Sequence, residues 1–353
     1  MSDAIETQQS TTQQPTAGAR AREVVASLLR RSDINVVMAT LGLFLLLTIV
    51  SESFLSSYNL FNVSRTASLY VFIAMGQAIP LVVGGMNLSL GWIGGLSVVF
   101  AGVAMQDLGL DPIIAAFIAI GVGIACGVIN GLLITGLKIN SFVVTLATGF
   151  VFAGLISGIS RGFPYTEIPQ SVSIIGRQSL FGFSYLLILM IITMIIVAYF
   201  FRYRVTGRRL LATGGNEEAA KLSGVRSNRI IVIAFTLSGL FAALGGYLWV
   251  SRLGSAQPSI GSDWLIISFA VAIIAGTSLK GGQFSAIGII AAAFLLTLIK
   301  NGLVMLNVSV YYEQTFLGLV ILLAVSIESL RIIARRYSRR LGGSSTRKAG
   351  ATG

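Results

Sequence analysis

The sequence contains no histidine, which excludes imidazole acid/base catalysis, histidine metal sites and Ser-His-Asp relays. Its single cysteine, Cys126, lies in an apolar run, can form no intrachain disulfide and is expected to pack. Charge within the apolar runs is scarce: Asp263, Glu313, Glu328 and Lys300 stand near run ends. A carrier of protons or cations normally needs titratable or ligating groups inside the membrane. The polar groups that remain are neutral: Gln77, Asn87, Ser89, Asn130, Thr145, Thr148, Ser157, Thr236, Ser238, Ser268 and Thr297, with aromatics such as Phe150 and Phe269. Donors and acceptors of this kind beside aromatic rings suit an uncharged, hydroxyl-rich solute. Gln77, Asn87, Ser89, Thr145, Phe150, Ser268 and Phe269 are the candidate pathway residues. Each taken singly is also readable as interhelical glue, since Ser, Thr and Gly are ordinary at helix interfaces in membranes. Neither a metal site nor a cofactor is expected.

One long polar interval, 202–229, separates two blocks of membrane-grade hydrophobic sequence. Within it Gly214-Gly215 reads as a chain break and Asn216 as an N-cap. Glu217 and Glu218 then fall in the first turn, where carboxylates suit the positive end of the helix dipole, and Gly224 stands where a C-terminal glycine would end the helix. The spacing predicts a two-turn helix with a start and a stop. Arg202, Arg204, Arg208, Arg209, Lys221, Arg226 and Arg229 surround it, which places it on the cytoplasmic face. Such an element is shaped to dock a soluble partner, or is a solvated connector that happens to be helical.

The elements that must position these residues are transmembrane helices. Of 353 residues 55% are hydrophobic and only 11% charged, a balance no soluble globule can use for its surface. The apolar runs have the length needed to cross ~30 Å of hydrocarbon as helix, and they lack the alternation of a β-barrel. Ten spans can be drawn, at about 34–51, 66–84, 90–106, 112–136, 141–160, 182–201, 230–250, 263–279, 284–303 and 312–330. With both termini cytoplasmic, only Arg65, Arg161, Arg177, Arg252 and Lys300 of the 25 basic residues fall on or near the outer side, so the net charge of +12 reads as topology. The expected organisation is a disordered polar tail over 1–33, a membrane domain over 34–330 and a basic cytoplasmic tail over 331–353; the first segment does not have the build of a secretory signal.

Two stretches interrupt ordinary helix: Val82 to Gly95, with Asn87 and Ser89 among five glycines, and Ala275 to Gly288, with Thr277, Ser278 and Gln283. Paired glycine-interrupted segments in two halves point to a transport pathway. They are also what tight cytoplasmic turns between antiparallel spans would look like. Their likeness suggests an architecture of two pseudo-related halves.

GGMNLSLGW, INSFVVTLATGF, GRRLLATGGNEEAAKLSGV, RLGSAQPSIGSDW and AGTSLKGGQFSAIG, in that order and spacing, resemble the permease subunits of bacterial ribose-type ABC sugar importers, from about Ile34 to Leu330. The resemblance implies an all-α integral membrane protein in the inner membrane that imports a sugar or sugar-like polar solute and is not itself an enzyme. It implies as partners a cytoplasmic ATP-binding subunit, a periplasmic solute-binding protein and a second copy or related permease. In keeping with this, the chain has no GxxxxGK[ST] phosphate loop. By the same resemblance Asn216, Glu217, Ala219, Ala220, Ser223 and Gly224 would form the coupling helix seated in the ATPase, and Arg252, Gln257 and Arg161 would lie in segments that receive the binding protein. Asn87 departs from the family's usual aspartate in the GG-x-D-L-S motif, a neutral amide replacing a carboxylate of the same shape. Permeases for nucleosides or other small polar metabolites remain alternatives, as does an ion-coupled secondary transporter, which the lack of buried titratable groups disfavours.

Overall fold

A computed structural model describes residues 32–309 apart from Leu279, with 312, 314–316, 318, 319 and 322 beyond them. The helices are α1 Ser32–Val50, α2 Ser57–Val82, α3 Leu90–Gly102 with a π-helical extension Val103–Asp107, α4 Pro112–Leu137, α5 Ser141–Ser160 and α6 Gln170–Arg177. A two-residue-strand hairpin, β1 Ser179–Leu180 and β2 Phe183–Ser184, leads to α7 Tyr185–Tyr203. Then come α8 Val205–Gly215, α9 Glu217–Leu222, α10 Ser227–Leu253, α11 Trp264–Ile274 and α12 Ala286–Met305.

Eight of the described helices are long and apolar enough to cross a membrane. Two of the ten expected spans need correction. That expected at 66–84 begins at Ser57, where the Ser56 hydroxyl accepts the Asn59 N–H as an N-cap, so the helix is 26 residues long. That expected at 263–279 is α11, only 11 residues, which reaches ~16 Å at 1.5 Å per residue and cannot cross alone. It stops because Gly276 and Gly281 take positive φ, 84° and 88°. The span expected at 312–330 lies largely outside the described residues, as do the tail at 1–33 except Ser32 and Asp33, and the tail at 331–353.

Helices alternate in direction, and one end of the bundle carries α8 and α9 while the other carries α6. The core is built on α2, whose most apolar window is 89% buried against 11% for the peripheral α1. Its closest neighbour α10 lies against α4, backbone to backbone. Added Cβ atoms at Gly123, Gly127 and Gly131 would collide respectively with the Gly239 carbonyl, the Phe235 carbonyl and Val232 Cα. Three glycines at four-residue spacing thus form one flat stripe down α4, the small-residue packing that membrane helices use where no hydrophobic gain separates protein from lipid. On the outside, α1 is tied to α12 by the Thr40 hydroxyl, which donates to the Ala291 carbonyl at 3.0 Å.

Candidate functional site

The chain between α2 and α3 is where polar groups concentrate. α2 contains Pro80, which has no N–H to give the Gly76 carbonyl. The orphaned carbonyl is satisfied from another helix: Ser238 Oγ on α10 donates to it. After Gly84, at φ 77°, the backbone runs non-helically to α3, and its N–H groups find side chains of α5. Met86 N–H donates to Ser141 Oγ and Leu88 N–H to Thr145 Oγ1, each at 3.0 Å. Backbone outside a helix survives at membrane depth only when so satisfied within protein or beside water.

Asn87 sits at the centre of this break. Its Oδ1 accepts the Ser89 N–H at 3.1 Å and the Ser89 hydroxyl at 2.7 Å, which fixes the amide's orientation. Its Nδ2 therefore faces Ser238 Oγ and donates to it at 2.8 Å. Asn130 Nδ2 donates to Ser89 Oγ at 2.8 Å, and Thr148 Oγ1 donates to Asn130 Oδ1 at 2.7 Å. Asn87, Ser89, Asn130, Thr145 and Ser238 are all fully buried. The network joins α2, α3, α4, α5 and α10, and membrane-grade satisfaction of every member makes it a rigid joint.

The other predicted pathway residues are dispersed. Gln77 is fully buried, with neither amide atom hydrogen-bonded. Ser268 is fully buried and donates to the Leu265 carbonyl, and Phe269 packs partly buried on the core. Phe150 is 70% exposed on the outer side of α5. A cleft of about 520 Å³ between α4 and α6, walled by Phe117, Ile175 and Tyr247 among others, is lined by none of them.

At the opposite end of α2 from its start, the polar interval folds into a corner. Helix α8 continues through Gly214-Gly215 instead of breaking there, because these glycines serve contact: a Cβ on Gly214 would collide with the Val82 carbonyl and meet Gly282 N at 2.7 Å. Gly282 N–H in turn donates to the Val82 carbonyl at 2.8 Å. The two glycine-rich stretches of the sequence thus meet each other, and both meet the end of α8. Asn216 then turns extended and its Oδ1 accepts the Ala219 N–H at 3.0 Å, starting α9. Glu217 pairs with Lys221 at 2.7 Å, both about half exposed. Ser223 Oγ donates to the Ala219 carbonyl, and Gly224, at φ 82°, reverses the chain. Ala220 is the buried anchor of α9, while Leu222 is 92% exposed. Leu222, an apolar tip on a charged corner, is a residue the sequence pattern did not single out.

At the α6 end Arg161 closes α5 in a left-handed conformation and is exposed. Arg177 Nε donates to the Arg252 carbonyl at 3.2 Å, and the Arg252 guanidinium lies over the Trp249 ring at 5.6 Å. Gln257 Nε2 donates to Ser255 Oγ at 3.2 Å. Nearby, Tyr165 and Ala256 exchange backbone hydrogen bonds of 3.0 and 2.9 Å. Burial, with Asp107 nearby adding to it, raises the Tyr165 phenol above its ordinary pKa. Among the described residues no three His, Cys, Asp or Glu side chains gather as a metal site.

Residues 59–325 match the family described as branched-chain amino acid transport system / permease component. The chain is 37% identical over 294 residues to the ribose import permease protein RbsC of Bacillus subtilis (strain 168), covering 82% of this chain and 91% of that one. It is 30% identical over 331 residues to the galactose/methyl galactoside import permease protein MglC of Escherichia coli (strain K12), covering 87% and 96%. To the autoinducer 2 import system permease protein LsrC of Photorhabdus luminescens it is 30% identical over 290 residues, covering 82% and 87%. No solved structure matches. The glycine-stripe packing, the satisfied break after α2 and the α8–α9 corner are therefore features of a multi-pass inner-membrane protein that is a transporter component and not an enzyme, and the chain belongs to this family of transport-system permeases.

Proposed function

We propose that the chain is the membrane-spanning subunit of a binding-protein-dependent ABC importer, moving a sugar or sugar-like polar solute inward while a separate subunit hydrolyses ATP. The solute class follows the relatives, which are import permeases for ribose and for galactose or methyl galactoside; the family's description also names amino acids, but the sugar permeases match at 30–37% identity over more than four-fifths of this chain. The membrane domain runs over 34–330 in two related halves, crosses ten times and keeps both termini and α9 in the cytoplasm, an orientation favoured by the Arg and Lys residues crowded around α8 and α9.

The observation that carries the mechanism is the α8–α9 corner. A partner that grips Asn216, Glu217, Ala219, Ala220, Ser223 and Gly224 moves α9 as a peg. Gly214 transmits that movement without slack, because it lies on the Val82 carbonyl and beside Gly282. The ends of α2 and of the glycine turn before α12 then shift together. Above them the Asn87 network holds α3, α4, α5 and α10 to α2, so the displacement reaches the helices as rigid bodies. A second copy or a related permease completes the pathway, and Arg252, Gln257 and Arg161 face the solute-binding protein at the outer end.

The test is purification of the chain from cells that also express an ATP-binding subunit encoded beside it, with segment 216–224 intact or scrambled. Co-elution that is lost on scrambling supports the reading. Absence of any ATPase from the intact chain would move an ion-coupled mechanism to the front.

A further inference from the structure

The segment between α10 and α11 does not stay at the surface. Gly261 lies against Gly91, so closely that a Cβ on either would collide with the carbonyl of the other, and the Ile260 carbonyl lies beside Gly95. Gly246, seven residues before the end of α10, is packed on Gly94. Counting along α10 at 1.5 Å per residue puts the level of Gly91 ~15 Å below the end of that helix; counting along α3 and its extension to Asp107 gives ~24 Å. With ~30 Å of hydrocarbon, Gly261 lies deep in the membrane, at its middle by the first count and beyond it by the second. The chain goes down from Ala256, which is bridged to Tyr165, to this depth and re-enters helix at Trp264.

What it carries there is polar and uncovered. Ser259, Ser262 and Asp263 are exposed, while their neighbours Ile260, Gly261 and Trp264 are buried. Among the described residues the Asp263 carboxylate has neither an ion pair nor a side-chain hydrogen bond. Irregular backbone and an unpartnered carboxylate at this depth are tolerated beside water or a polar partner and not beside lipid.

We propose that 259–263 is a wall of the solute pathway deep in the membrane, where Asp263 and the hydroxyls of Ser259 and Ser262 exchange hydrogen bonds with the hydroxyl groups of a neutral polyhydroxylated solute. The assignment rests on the transport function proposed above. An acceptor-only carboxylate between two hydroxyls that both donate and accept matches a solute whose every oxygen does both. Its single charge stays hydrated between passages, so it need not be paired within the chain.

The experiment uses membranes containing the whole importer, with Cys126→Ser as background. Ser259→Cys and Ser262→Cys are treated with a membrane-impermeant cationic methanethiosulfonate, from the outside and in inverted vesicles. Ser268→Cys, buried one and a half turns on, is the control. Both loop thiols are expected to react from at least one side and the control to stay unlabelled. In parallel, uptake of radiolabelled ribose and galactose is measured for Asp263→Asn, with an expected fall of tenfold or more while the ATP-binding subunit still co-purifies. Loop thiols that are inert from both sides, or that cross-link directly to a second copy, overturn the proposal, as does undiminished uptake by Asp263→Asn. Failure of the broader reading looks different: the intact chain would retain no ATPase and take up neither sugar, whatever the thiols do.

Discussion

Ser238 has one proton, and it is committed. Because Pro80 deprives the Gly76 carbonyl of its helical partner, the Ser238 hydroxyl donates there and can only accept from its other neighbour. A side chain at position 87 must therefore donate toward Ser238 and accept from Ser89, which an amide does and a carboxylate does not. This gives a physical reason for Asn87 in a motif whose usual residue is aspartate. Asn87→Asp is expected to lower stability in detergent by about 1–3 kcal/mol, the cost of leaving a buried partner unsatisfied, read as a lower thermal midpoint. A midpoint equal to the parent would show that Ser238 reorients freely. Little of this was legible beforehand. The residue types at 87, 89, 130, 145 and 238 stood out as polar in apolar runs, but polarity alone does not separate a pathway wall from a joint. The distinction lies in burial and in which proton is already used, and both depend on helices far apart in sequence.

Among the elements, α4 shows how much glycine spacing decides. Gly127→Leu is expected to separate α4 from α10 and cost at least 1–3 kcal/mol, the range for overpacking, with loss of folded protein after detergent extraction. Gly121→Leu, on the same helix with open space around it, is expected to fold normally. For α9 the expectation is opposite in kind, since little of it is buried. Leu222→Ser leaves the fold and its thermal midpoint unchanged, yet weakens retention of the ATP-binding subunit about tenfold or more; retention at the parental level would remove Leu222 from the docking face. Glu217→Ala should uncouple uptake with insertion intact. The capped helix after Asn216 was readable because its signals are local: a side-chain cap, acidic first turn and a glycine three residues past the last lysine. The continuation of α8 through Gly214-Gly215 was not, because those glycines answer to Val82 and Gly282, contacts that no window of sequence contains.

For the molecule as a whole, hydropathy located the eight long helices of the described residues but set the start of α2 nine residues late and drew α11 as a full span. α2 begins in polar sequence, capped by Ser56, and α11 is half a span fed by a segment that dips inward. A hydropathy window assumes that apolar residues in a row form one straight helix from surface to surface. Pairing of Gly91 with Gly261, which sets the depth of the dip, joins residues 170 positions apart. Gly261→Ala is expected to be disruptive on two counts, a φ of 99° that disfavours any side chain and the collision with Gly91. Uptake should fall before α9 docking does, because the lesion lies far from the corner; simultaneous loss of both would indicate global misfolding.

The bond between Ser238 and the Gly76 carbonyl also has a consequence for biogenesis. Its two residues are 162 positions apart, and Asn87 waits for the same serine across 151. At ~5–20 residues per second of synthesis, α2 must spend roughly 8–30 s in the bilayer before its partner emerges. During that interval a proline-orphaned carbonyl and an open amide sit in the nascent chain with no intramolecular partner. A chain released just before α10 should therefore be degraded rapidly, whereas one released just after it should persist, a contrast that pulse-chase labelling of the two truncations would measure. The helix that closes the buried network, α10, is thus also the one that relieves α2 of its need for water or an insertase.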